Sequence, residues 1–168
     1  MGRYRPPAAT KSPYITQQGF TCLQQESKSL WERRTHVTQA LSAAAAEGDR
    51  SENAEYIYRK KELREIDRRI RYLQKRLPEL NVVKQNPAER DKIFFAAWIT
   101  LEDELGNESC YRIVGPDELD PVKQYISVDS PLARALLKKS VDDEVNVQTP
   151  GGEKHYVILD VQYDSEPE

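Results

Sequence analysis

Leu63, Ile66, Ile70, Leu73, Leu77 and Leu80 are separated by 3, 4, 3, 4 and 3 residues. That is a heptad seam, and a helix carrying it must cover the seam with another helix. Tyr56 lies on the same seam one heptad before Leu63, and Pro78 should end or bend the helix. Upstream, Phe20, Leu23, Leu30, Val37, Leu41 and Ala44 recur at helical spacing, from a cap at Thr16 as far as Gly48. This first helix spans about 30 residues, or ~45 Å. Only a few residues around Gly48 separate the two segments, so they must run antiparallel, as a coiled-coil hairpin with Asp49 to Asn53 at its tip. Ser27 and Arg34 stand where the first helix would want apolar residues. The expectation is a slender finger whose stability is low near the tip.

Beyond the hairpin the period changes. Residues 1–13, with three prolines among small and basic residues, read as a disordered tail, residues 14–80 as the hairpin and residues 81–92 as a linker. Residues 93–168 then carry strand-like runs at 93–101, 111–115, 125–128, 144–149 and 155–163. Residues 130–139 read as one short helix with Ser130 as cap and Pro131 at its first position. The second domain is therefore expected to be α+β, a small antiparallel sheet packed on one helix.

Net charge is −3, but residues 1–100 hold 19 Lys/Arg against 12 Asp/Glu and residues 101–168 hold 6 against 16. Such a split suits a basic half that meets phosphates and an acidic half that meets a basic protein surface. Cys22 and Cys110 lie in different domains without a CxxC or Cys/His cluster, and His36 and His155 are far apart. Disulfide frameworks, zinc sites and nucleophile–histidine pairs are thus not indicated. The chain has neither an apolar run of membrane-spanning length nor an apolar region at its start like that of a secretory signal, so the cytoplasm is the expected location.

Two features invite chemistry. Asp49-Arg50-Ser51-Glu52 matches a capping box, which by itself accounts for both acids as caps of the second helix. Yet carboxylates held ionised near a helix N-terminus keep outward lone pairs, and Mg²⁺ commonly binds through one or two carboxylates plus waters and substrate phosphates. On the second helix, residues 59–76 contain nine basic side chains against three acidic ones. Lys60, Arg64, Arg68, Arg71 and Lys75, spaced by 4, 4, 3 and 4, form a stripe beside the seam that could face phosphates. The competing account is a solvated face steadied by Glu55–Arg59, Glu65–Arg69 and Asp67–Arg71 pairs.

At these residues the chain resembles the Gre family of bacterial transcript-cleavage factors, and its basic second helix resembles the GreB type. "GDRSENAEY" is similar to the family's tip, "KKELREIDRRIRYLQKRL" to the basic helix, and "YRIVGPDEL", "YISVDSPLARALLKK" and "TPGGEKHYVILDVQY" to the C-terminal domain. The resemblance covers residues 14–163. It implies a hairpin followed by an FKBP-like domain that docks at the mouth of the RNA polymerase secondary channel while the hairpin enters. Asp49 and Glu52 are implied to help hold a Mg²⁺ shared with the polymerase active site, with Ser51 and Asn53 as polar support. Polymerase itself then cuts the 3′ end of a backtracked transcript, and the factor, a monomer with no cofactor of its own, is not the enzyme. The basic stripe is implied to accompany the extruded RNA, and Asp129, Ser130 and Pro131 to contact polymerase.

Three departures accompany the resemblance. "ERRTHV" lacks the proline usual in the first helix, Asp142-Asp143 replaces the usual Gly-Asp turn, and the N-terminal tail is longer. A regulator that occupies the channel without promoting cleavage is the alternative, and the intact tip acids argue against it. Prolyl isomerase activity would rest on fold alone, which does not carry function.

Overall fold

The computed structural model describes residues 10–46, 54–84 and 87–163. They form two compact units, one built from residues 18–46 with 54–80 and the other from residues 10–17 with 81–84 and 87–163. In the first unit α1 spans Gln17–Ala46 and α2 spans Ala54–Arg76, and a 3-10 turn containing Pro78 follows over Leu77–Glu79. The proline thus ends α2 where the sequence placed the break. Without the family's proline, α1 continues as helix through Glu32–Val37.

Apolar burial and ion pairs both set the register between the helices. Val37, Ile66 and Ile70 are buried together, with Leu30 and Leu63 packed against them, while Leu73 is fully buried. On one flank Glu26 accepts from Arg69 through both oxygens (2.6 and 2.7 Å), and Glu62 accepts from Arg33 Nε (2.9 Å). These pairs lie seven residues further along α1 and seven back along α2, as antiparallel heptads require. On the opposite flank Arg34 Nε donates to Asp67 Oδ1 (2.7 Å), so the polar residue in the α1 seam is met by a charge rather than left over. The hydrogen bond from Arg33, reinforced by one from Arg59, holds the Glu62 carboxyl below the usual carboxylate range. Its contribution is therefore present at neutral pH and is lost as pH falls through that lowered value.

The second unit holds two sheets. Strand β1 (Tyr14–Thr16) pairs in parallel with β2 (Asn81–Val83), joining segments that the sequence assigned to the hairpin and to the linker. Segment 11–13, read as tail, is tied down too. Lys11 Nζ lies 3.8 Å from Asp117 Oδ1, Ser12 N–H donates to Asp129 Oδ2 (2.9 Å), and the Pro13 carbonyl accepts from Asn81 N–H (2.8 Å). The larger sheet has the order β5-β4-β3-β7-β6, from Tyr125–Ser127, Glu108–Val114, Trp98–Asp103, Gly152–Gln162 and Glu144–Thr149.

That sheet is mixed, not purely antiparallel, because β5 runs parallel to β4. The connection over residues 115–124 is long enough to carry the chain back before β5 begins, which a hairpin turn cannot do. The expected strand at 93 begins only at Trp98, since Ala96 turns the chain with φ of 71°. Helix α3 spans Pro131–Leu136, shorter than expected, because Leu137 is extended and Lys138 has φ of 69°. Ala133 and Leu136 of α3 join Ile93, Ile99, Leu101, Ile113, Val145, Val147 and Ile158 in one buried cluster. Tyr163 closes it: its hydroxyl donates to the Lys92 carbonyl and accepts from Phe94 N–H (2.9 Å), and burial raises its pKa.

Asp142 adopts φ of 69°, the left-handed conformation that a glycine supplies without strain and that aspartate tolerates better than most residues. The Asp-Asp turn therefore needs the same backbone geometry as a Gly-Asp turn. Asp142→Gly is expected to raise unfolding stability by a few tenths to about 1 kcal/mol, read as a higher denaturant midpoint at unchanged slope.

Candidate functional site

The stripe on α2 is where the structure decides between the two readings of its charges. Lys60, Arg64, Arg68, Arg71 and Lys75 are all exposed. Of the three predicted ion pairs only Glu55–Arg59 forms (2.7 Å). Arg69 pairs with Glu26 of α1 instead, and Asp67 pairs with Arg34 of α1. Glu62 is likewise taken by Arg33 and Arg59. Helix geometry explains the outcome: Glu62 and Asp67 lie on the flanks of the seam, within reach of α1, whereas Arg64, Arg68, Arg71 and Lys75 lie on the solvent face beyond them and Lys60 shares the Asp67 flank one heptad earlier. Among the described residues none of the five has an ion-pair partner. Lys60 Nζ sits 5.7 Å from the Tyr56 ring and Arg64 Nε donates to the Lys60 carbonyl (3.3 Å), neither of which cancels charge.

The loop before α3 is committed differently. Ser130 Oγ accepts from Ala133 N–H (3.2 Å) and Pro131 occupies the first turn, so both residues do the helix-capping work expected of them. Asp129 is half-buried, and its two oxygens accept from Ser12 N–H and Ser12 Oγ. Any partner that takes hold of the Asp129 carboxylate must share it with residue 12. Sequence reasoning missed this strap, and it missed Glu118, whose carboxylate accepts from Thr16 N–H (3.0 Å) and Gly115 N–H (2.9 Å). No periodicity announces the Ser12–Asp129 and Thr16–Glu118 contacts, which join residues 117 and 102 positions apart.

Asp49, Ser51, Glu52 and Asn53 lie outside the described residues, as do Gly48 and the remaining tip. Among the described residues no three of His, Cys, Asp and Glu gather as metal ligands, and no helix is long and apolar enough to cross a membrane.

Comparison with known proteins places both parts of the chain. The family model described as "Transcription elongation factor, N-terminal" matches residues 13–82, and "Transcription elongation factor, GreA/GreB, C-term" matches residues 87–163. A protein of Pseudomonas aeruginosa called transcription elongation factor GreB is 56% identical over 99% of this chain and 100% of its own. Proteins of the same name from Yersinia pestis and Haemophilus influenzae are 58% and 61% identical over 91% and 84% of this chain, and over 90% of their own length in each case. The hairpin, the helix-backed mixed sheet, the two matched models and these relatives agree: the chain belongs to the GreA/GreB family of transcription elongation factors and is of the GreB type.

Proposed function

We propose that the chain, as a monomer, rescues backtracked RNA polymerase by stimulating polymerase's own cleavage of the extruded RNA 3′ end. The hairpin enters the secondary channel and brings Asp49 and Glu52 to the polymerase active centre, with Ser51 and Asn53 as neighbours that steady the tip. Two carboxylates are a donor set that Mg²⁺ accepts alongside water and phosphate oxygens, and the ion when bound favours hydroxide formation and stabilises a leaving oxygen. The Asp129 loop of the acidic domain meets polymerase outside the channel. The chain alone is then not an enzyme.

The observation that carries this reading is the uncompensated stripe on α2. Its five exposed cations run along the same hairpin that bears the tip, and Asp67, the acid that might have neutralised Arg71, is paired with Arg34 of α1 instead. A single-stranded, multiply charged partner fits that surface better than a neutral one. The test is RNA cleavage in purified backtracked elongation complexes with Mg²⁺, comparing the protein with no factor. Release of 3′ fragments several nucleotides long supports the proposal. Binding without release would instead make the chain a regulator that occupies the channel.

The stripe makes a separate prediction. Arg64→Glu/Arg71→Glu is expected to weaken binding of a single-stranded RNA oligonucleotide by at least about tenfold at low salt. It should also reduce the slope of log affinity against log salt by about 1.4, two phosphate contacts at ~0.7 each. Fluorescence anisotropy across a salt series measures both.

A further inference from the structure

Trp31 is 46% exposed on α1, although the chain's other tryptophan, Trp98, is 5% exposed at the start of β3. It borders an open groove of about 360 Å³ between the two helices, completed by Arg34, Asp67, Ile70, Arg71 and Gln74. The groove has an aromatic wall, an apolar floor at Ile70 and one edge made by the phosphate-facing stripe. Arg34 stands 5.9 Å from the Trp31 ring centroid while its Nε holds Asp67, so the groove's only acid is already met. Arg71 is left as the groove's uncompensated cation and belongs to the stripe as well. An indole face beside an unspent guanidinium is the pairing that single-stranded nucleic acid uses, with a base on the ring and its phosphate on the cation.

We propose that Trp31 is a stacking platform for a nucleobase of the RNA whose phosphates follow Lys60, Arg64, Arg68, Arg71 and Lys75. This rests on the reading of the stripe as an RNA surface and extends it: the hairpin holds bases as well as charge. Trp31 lies fifteen residues before the end of α1 at Ala46, about 22 Å along the helix. A base reaches it only when several nucleotides of RNA lie along the hairpin, so the platform favours longer single strands over short ones. Base identity matters little, because every base offers a π face.

The test uses the full chain and two single-stranded RNA probes of equal length and charge, one with all its bases and one with abasic residues in its central half. The base-containing probe is expected to quench tryptophan emission, because Trp31 is the exposed one of the two tryptophans, and Trp31→Phe should remove most of that quenching. Trp31→Ala is expected to lower affinity for the base-containing probe by roughly tenfold, leave the abasic probe unchanged and leave the salt slope unchanged; Trp31→Phe should retain most of the affinity. If Arg64→Glu/Arg71→Glu weakens both probes while Trp31→Ala weakens neither, the stripe stands and the platform is wrong. If the stripe variant weakens neither probe, the RNA reading of the hairpin itself fails. Equal loss of both probes in Trp31→Ala, with a lowered melting temperature, would make Trp31 a packing residue and overturn the platform.

Discussion

Asp49→Ala and Glu52→Ala, each alone, are expected to slow 3′ fragment release from backtracked complexes by about 10²-fold or more, while polymerase binding changes by less than about twofold. The separation follows from where the residues stand in the sequence. Both belong to the short segment joining α1 and α2, and the surfaces proposed to hold polymerase and RNA lie elsewhere, at Asp129 and along α2. If the tip supplies negative charge to a metal that polymerase binds weakly, raising Mg²⁺ should recover part of the rate in either single variant and little in the double variant. A capping role predicts something else. Losing a cap costs about 0.5–2 kcal/mol of helix stability, which thermal melting would register and Mg²⁺ would not repair. Parallel loss of binding and cleavage would sink the division between a tip that acts and surfaces that hold.

Gly115→Ala should produce the largest structural effect. A Cβ at residue 115 would lie 2.1 Å from the Tyr14 carbonyl oxygen, 3.2 Å from its carbon and 3.1 Å from Glu118 Oε2. The first two contacts are backbone, so they cannot be relieved by a side-chain rotation. Strand β1 would have to leave, taking with it the Thr16 N–H bond to Glu118 and the burial of Ile15, which is fully enclosed. A loss of about 2–4 kcal/mol is expected, in the range of overpacking together with a stranded polar group. Hydrogen exchange would locate it: amides of residues 14–16 and 81–83 should lose protection, while those of β3 and β7 keep theirs. Unchanged protection in β1 would mean that the close approach at Gly115 does not hold the strand.

The hairpin was legible in the sequence because its information is local and periodic. The 3-4 spacing of Leu63 through Leu80 specifies a face, the few residues near Gly48 specify antiparallel packing, and Pro78 specifies an end, all without reference to the rest of the chain. The strand β6 was readable for the same reason, since Val145 and Val147 alternate with exposed neighbours. Element boundaries set by positive-φ residues, Ala96 before β3 and Lys138 after α3, were not, because alanine and lysine carry no sequence mark for that conformation. Of the site, the sequence pointed to the tip acids and the stripe by residue type and spacing, and to the Asp129 loop only through its resemblance to the Gre family. It could not say which acids would neutralise which bases.

By itself, then, the sequence determined a two-helix hairpin with a basic outer face, followed by a strand-rich acidic domain, because heptads, alternation and charge counts are properties of neighbouring residues. Only the tertiary structure decided that Asp67 and Arg69 turn to α1 and leave Arg71 unpaired among the described residues, that Trp31 borders a groove beside it, and that β1 docks on β2 with Asp129 and Glu118 as its fasteners. Each of those outcomes depends on which groups meet across tens of residues. Three-residue strands and single carboxylates have no periodicity from which a partner could be inferred, so their roles exist only once the chain has folded around them.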